Sequence, residues 1–269
     1  MNILFIILCI YVVFCGIFYF FQDYFFFRPE ILPSHFEYKY PFPFEEITFD
    51  MPDGGQINAI YFKVPQSRGI VYYLKGNSRS IKGWGKFAKD YLSNGYDFFM
   101  MDYRGFGKSV GKRTEKQLYL DAQFVYNWIL ARYPEENIVA FGRSLGSGIA
   151  AWVAAKNSPK MLILDSPYFS FYHNIRRFAW FIPLKWLLRY NIRTDLYLRE
   201  VQCPIHIVHG TKDRLFPIVQ SERLQKLFPD KVQLHKIQGG HHNDLPEFKI
   251  FHQLLYKILY IDSTKSKTK

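Results

Sequence analysis

Hydrophobic and polar positions along the chain fall into two regimes. From Ile3 to Phe21 no charged residue occurs, and at about 1.5 Å rise per residue such a run, as a helix, spans roughly the 30 Å of a hydrocarbon core. The pattern predicts a transmembrane helix. No Lys or Arg precedes the run, it exceeds a usual signal-peptide core, and no A-x-A-like site follows it, so an uncleaved N-terminal anchor is expected over a cleaved leader. Gln22, Tyr24 and Phe25 to Phe27 then read as an interfacial belt. The flanking charges, Arg28 and Lys39 against Asp23 and Glu30, set only a slight positive-inside bias.

Beyond the run, short β-branched or aromatic stretches alternate with longer amphipathic ones. Strands are expected near 46–50, 56–63, 69–74, 97–101, 137–141, 161–164, 204–209 and 231–237, and helices near 81–92, 115–133, 146–156, 219–226 and 246–260. This rhythm predicts an α/β fold, a mostly parallel eight-stranded sheet with helices on both faces. Short turns such as Pro52-Asp53-Gly54-Gly55 between the first three strands predict an antiparallel start. The expected organisation is an anchor with its belt at 1–27, one domain at 28–262, and a basic disordered tail at 263–269.

Composition sharpens this picture in two places. With 49% hydrophobic and 22% charged residues the 269-residue chain is excluded from the disordered and fibrous classes. Its 35 Lys and Arg against 23 Asp and Glu, a net charge of +12, call for a partner with a negative surface. Aromatic residues concentrate in the N-terminal run and in residues 168–193, where every charge from Arg176 to Arg193 is positive. That segment reads as a short helical lid that lies on an anionic bilayer, lines an acyl pocket, or packs its apolar face on the domain. A second basic cluster, Lys75, Arg79, Lys82, Lys86 and Lys89, is expected around the same mouth. Cys9, Cys15 and Cys203 form neither a disulfide framework nor a zinc spacing, and no metal or organic cofactor is implied. No nucleic-acid motif accompanies the charge, so the lipid bilayer and a small-molecule or acylated substrate are the expected partners.

The chemistry centres on Gly142-Arg143-Ser144-Leu145-Gly146, between an apolar strand and the small-residue helix start Ser147-Gly148-Ile149-Ala150. This is a G-x-S-x-G nucleophile elbow in strand–turn–helix context. A serine on so sharp a turn needs neighbours without side chains two residues away on either side, and the helix start aims N–H groups at a developing oxyanion. Such a serine needs an acidic orienter and then a histidine downstream. Asp213 follows the strand at 204–209, with Asp165 as a rival, and His241 and His242 follow the last strand. Spacing alone does not choose between the two histidines. Gly107-Lys108-Ser109 ends like a P-loop, but the glycine required five positions earlier is Asp102. The stretch from Asp102 to Ser109 is instead expected to be a tight loop, shaped by its glycines and an Asp102–Arg104 contact.

Together with Lys75-Gly76-Asn77, Asp102-Tyr103-Arg104-Gly105-Phe106-Gly107, His209-Gly210-Thr211-Lys212-Asp213 and Gly240-His241-His242-Asn243-Asp244, the elbow resembles the α/β-hydrolase superfamily. Within it the chain is similar to the membrane-anchored, bud-emergence-type α/β-hydrolase-domain proteins. The resemblance implies Ser144 as nucleophile, Asp213 as orienter and His242 as general base, with His241 the alternative. It implies an oxyanion hole from the backbone N–H groups of Asn77 and Leu145. The activity it implies is ester or thioester cleavage through an acyl-enzyme. A peptidase or amidase of the same fold and a catalytically silent tethered module are the alternatives. The family usually carries His-Gly-Asn where this chain has Lys75-Gly76-Asn77. Lys cannot accept the hydrogen bonds a neutral imidazole accepts.

Overall fold

Continuous runs of β-branched and aromatic residues bury both faces of the central strands, the signature of a parallel sheet covered by helices. The structure, a computed structural model, describes residues 2–260. The basic tail expected at 263–269 lies outside the described residues. After the N-terminal helix α1 (Ile3–Phe26), the strands are β1 (Phe44–Asp50), β2 (Gln56–Phe62), β3 (Ile70–Leu74), β4 (Asp97–Met101), β5 (Ile138–Arg143), β6 (Met161–Asp165), β7 (Ile205–Gly210) and β8 (Val232–Ile237). They form one eight-stranded sheet in the order β1-β2-β4-β3-β5-β6-β7-β8.

The antiparallel start differs from the expectation. β1 and β2 form a hairpin, but β2 pairs antiparallel with β4, and β3 lies parallel between β4 and β5. A wholly buried β3 gains more at the centre of the sheet than at its rim, and the crossover through residues 81–92 makes room for the exchange. Alternation then divides the core between the two faces. Ile70, Tyr72 and Leu74 face α4 (Glu115–Leu130) and α5 (Leu145–Lys156), while Val71 and Tyr73 face the opposite layer, which includes α10 (Lys249–Tyr260).

The helix expected over 81–92 is broken into α2 (Ile81–Trp84), a 3₁₀ turn at Gly85–Phe87 and α3 (Ala88–Leu92). Tyr40 causes the break: its ring packs where a Cβ on residue 85 would lie, 2.3 Å from Cε1, and its hydroxyl donates to the Ile81 carbonyl. The helix expected to reach residue 133 ends at Leu130, and the last helix begins as a separate 3₁₀ turn at Leu245–Glu247. The lid contains α6 (Phe171–Arg176) and α7 (Leu184–Leu187). It leads into α8 (Thr194–Glu200), which the pattern did not reveal, and α9 (Val219–Leu227) follows β7.

α1 is long and apolar enough to cross a membrane, and most of its side chains are exposed. Its C-terminal part, from Phe18 onward, is different. Phe18, Phe26 and Phe27 join the core of the domain, and Gln22 is fully buried. Of the expected belt, Tyr24 and Phe25 remain exposed, whereas Gln22, Phe26 and Phe27 belong to the domain's packing.

Candidate active site

The elbow follows from two absent side chains. A Cβ on Gly142 would lie 2.4 Å from the Gly146 carbonyl, and one on Gly146 would lie 2.0 Å from the Leu74 carbonyl. With both positions bare, α5 starts hard against the end of β3, and Ser144 is held at φ 53°, ψ −119°. That is the left-handed region a non-glycine residue occupies only when its surroundings enforce it. Gly146→Ala is accordingly expected to cost about 3 kcal/mol or more, since backbone and not a mobile side chain must yield. Chemical denaturation of the variant beside the wild type measures it.

β5, β7 and β8 end on the same edge of the sheet, and the loops that follow β7 and β8 meet above Ser144. His242 Nε2 lies 2.9 Å from Ser144 Oγ, and its Nδ1 lies 2.7 Å from Asp213 Oδ2. A carboxylate only accepts, so Nδ1 carries the proton and Nε2 is left to accept from the serine hydroxyl. All three side chains are buried. Asp213 Oδ1 accepts the N–H groups of Leu215 at 2.9 Å and Phe216 at 2.8 Å. Burial works hardest against its ionisation, but hydrogen bonds from His209 and His242 outweigh it and hold the carboxyl well below the usual range. The group therefore stays an anion throughout the neutral range.

The rivals go elsewhere. His241 is exposed, and its backbone N–H donates to Asp244. Asp165 pairs with the buried Arg143 at 3.3 Å, and Arg143 in turn donates to the Asn243 carbonyl at 3.2 Å, bracing the loop that carries His242. Arg143 was overlooked as a positioning residue because its partners are 22 and 100 positions away in the chain. His209, read from the chain's pattern as no more than a structural or surface residue, is fully buried with Nε2 3.2 Å from Asp213 Oδ2 and 2.8 Å from the Phe216 carbonyl. Its spacing of four residues from Asp213 was the available signal.

The loop from Lys75 to Ser80 closes the other side. A Cβ on Gly76 would stand 3.6 Å from Ser144 Cβ, so this loop runs directly over the serine. The backbone N–H groups of Asn77 and Leu145 donate to no protein acceptor among the described residues, leaving both available to a bound oxyanion. The loop is hung on the end of α1: Asn77 Nδ2 donates to the Phe26 carbonyl at 2.7 Å, Arg28 N–H to the Asn77 carbonyl at 2.9 Å, and Arg79 N–H to the Arg28 carbonyl at 2.8 Å.

Two expectations about charge are corrected here. Lys75 is not on the basic rim: it is fully buried, with Nζ 3.3 Å from Asp102 Oδ1, 3.2 Å from the Arg79 carbonyl and 3.8 Å from the Phe106 ring centre. Asp102 meets Lys75 and not Arg104, which instead pairs with Asp53 and Asp121. Arg79, Lys82, Lys86 and Lys89 are exposed. A cavity of about 280 Å³ beside the site is lined by Ser78, Arg79, Trp84, Lys86, Arg143 and Asn243 among others.

Comparison with known proteins agrees with this architecture. An esterase from Pyrococcus furiosus superimposes with a TM-score of 0.66 at 20% identity, covering 86% of this chain and 98% of its own. An alpha-beta serine hydrolase homologue from Coxiella burnetii gives 0.63 at 19% identity, over 82% of this chain and 100% of its own. The family model described as serine aminopeptidase, S33, matches residues 65–198, a stretch that includes Ser144 and ends before Asp213 and His242. The chain belongs to the α/β-hydrolase superfamily. Among α/β-hydrolases, the lysophosphatidylserine lipase ABHD12 of Danio rerio is 30% identical over 198 residues, 64% of this chain and 51% of the lipase. An uncharacterized protein of Mycobacterium tuberculosis is 26% identical over 206 residues, 74% of this chain and 72% of its own. The chain thus spans about half the length of the curated lipase it matches.

Proposed function

We propose that this α/β-hydrolase is a membrane-anchored serine hydrolase that cleaves a carboxylic ester or thioester of a lipid-like acyl substrate. The observation that carries this is the continuous relay from Ser144 Oγ through His242 to Asp213, with contacts of 2.9 and 2.7 Å. Ser144 Oγ attacks the acyl carbonyl as His242 Nε2 takes its proton, and the Asn77 and Leu145 amides receive the oxyanion. His242 returns that proton to the leaving alcohol or thiol, and the acyl-enzyme forms. Water then repeats the sequence, its proton passing through His242 back to Ser144 while the acid departs. Asp213, ionised throughout, holds the imidazole in the tautomer the first step needs.

Two features support the lipid side of this proposal. The cavity beside the site carries the exposed cations Arg79 and Lys86 on its lining, which suits an anionic headgroup. The lipase relatives act, by name, on a lysophospholipid of that kind. For the anchor, the support is the last turn of α1. Cleavage of a leader there would remove the carbonyl that holds Asn77. The division into an anchor at 1–27 and a domain at 28–262 belongs to the same proposal, with that last turn shared between them.

The test is a substrate panel on the full chain in detergent or vesicles. Lysophospholipid and acyl-thioester turnover is expected to exceed aminoacyl-amide turnover, with lysophosphatidylserine ahead of lysophosphatidylcholine. Faster hydrolysis of aminoacyl p-nitroanilides would favour the peptidase alternative that the family model's description suggests.

A further inference from the structure

The lid does not fold back over the domain as an isolated flap. It runs along α1. Near the domain, the Phe26 and Phe171 rings meet edge to face at 4.9 Å, and the Tyr190 hydroxyl donates to Asp23 at 2.9 Å. One turn further along α1, Gln22 Nε2 donates to the Leu187 carbonyl at 2.6 Å and Gln22 Oε1 accepts the Arg189 N–H at 2.9 Å. Far along the helix, the Tyr11 hydroxyl donates to the Phe181 carbonyl at 2.7 Å, and Phe14 packs on the Phe181 ring. Tyr11 and Gln22 are eleven residues apart, about 16 Å along a helix axis. The segment therefore leaves the domain at Phe171, climbs to the level of Tyr11, and returns by Leu187 to Tyr190.

We propose that residues 176–188 form an intramembrane hairpin, docked along α1 and immersed in the acyl chains of the leaflet that adjoins the domain. This rests on the anchor proposed above. If Ile3 to Phe21 fills a hydrocarbon core of roughly 30 Å, the level of Tyr11 is near its middle. The side chains the hairpin turns outward fit that solvent: Phe178, Trp180 and Trp186 are 61%, 76% and 81% exposed. They add to the exposed apolar surface of α1, with the exposed cations Arg176, Arg177 and Lys185 set among them. The Tyr11 hydroxyl satisfies a loop carbonyl where no water would be present to do so. The lid's charges are all cations. Arg189 sits beside Asp23 at the foot of the hairpin, the level of lipid phosphates. Lys185 and Arg176 are exposed with no carboxylate partner among the described residues, and their long stems reach toward the same headgroups. A line of ring contacts ties the foot to the chemistry: Phe171 to Tyr168 at 5.7 Å, Tyr168 to Phe216 at 5.2 Å, and Phe216 to His242 at 5.1 Å. The foot of the hairpin thus stands three ring contacts from the imidazole that faces Ser144.

The tryptophans make this testable, because α1 contains none and Trp84, Trp128 and Trp152 lie in the domain. The full chain is reconstituted in vesicles of phosphatidylcholine and phosphatidylserine whose acyl chains are brominated near mid-length. Wild-type emission is expected to be quenched about twofold more strongly than that of Trp180→Phe/Trp186→Phe, which keeps only the domain tryptophans. Equal quenching in the two proteins, with both still vesicle-bound after alkaline carbonate washing, would overturn the hairpin and leave the anchor standing. Release of the wild type by carbonate would overturn the anchor and the hairpin with it.

Discussion

Ser144→Ala is expected to lower kcat by about 10⁴- to 10⁶-fold on any ester the wild type accepts, and to abolish labelling by a fluorophosphonate probe. The expectation rests on geometry that leaves the serine no substitute. Ser147 is in the next turn, but its hydroxyl is committed to the Ser144 carbonyl at 2.6 Å. Ser166, also at a left-handed φ, donates to Asp165 at 2.8 Å. Neither contacts His242. The alanine variant keeps the elbow's backbone, since Cβ is already present and the strain is imposed by Gly142 and Gly146 from outside. Its unfolding midpoint should stay close to wild type. Single-turnover kinetics and probe labelling measured on that folded variant would sink the nucleophile assignment if either persisted at wild-type level.

The buried pair of Lys75 and Asp102 should produce the largest effect on stability. Lys75→Met strands Asp102 in the interior, where its remaining partner is the Ile81 N–H at 3.0 Å, and Asp102→Asn strands the ammonium among Tyr103 and Phe106. Breaking a buried pair from either side costs about 3–5 kcal/mol, whereas removing both charges together with apolar residues is far cheaper. Lys75→Met/Asp102→Leu should accordingly be more stable than either Lys75→Met or Asp102→Asn in a urea titration. The pair also has a pH signature. Burial pushes Lys75 down to about 8, partly opposed by Asp102, and pushes Asp102 up to about 6. Between 8 and the unfolded lysine value of about 10.4 the unfolded chain binds the extra proton, so this group's contribution to stability rises with pH across that window. Wild type should gain there relative to Lys75→Met. A parallel loss in both proteins would show that Lys75 does not titrate as a buried ammonium.

What the chain's pattern disclosed and what it hid divide along one line. Strand ends came within a residue or two of those observed, because each buried strand is a continuous β-branched or aromatic run bounded by turn residues. The elbow was legible because its requirements are local, two glycines and a serine inside five positions. Partnership across the chain was not. Nothing in residues 70–74 says that β3 passes over β2 to pair with β4 and β5. Nothing near Lys75 says that its charge is spent on a carboxylate 27 residues later. The choice between His241 and His242 likewise waited on the loop's path, which turns one imidazole inward and leaves the other in solvent. Gly85 read as an ordinary helix position until Tyr40, 45 residues earlier, was seen to occupy the space beside it.

The attachment of the Asn77 loop to α1 has a mechanical consequence. Between Gly16 and Pro29 there is no glycine or proline, and the helix continues to Phe26 before Arg28 enters its pairing with the loop. No soft joint separates the span from the catalytic loop. A protein on a flexible tether samples every attitude toward the bilayer; with α1 across the membrane as proposed above, this one would be mounted like a blade on a shaft. A change in bilayer thickness that such a span met by tilting would be delivered to the two carbonyls, Phe26 and Arg28, from which the loop hangs.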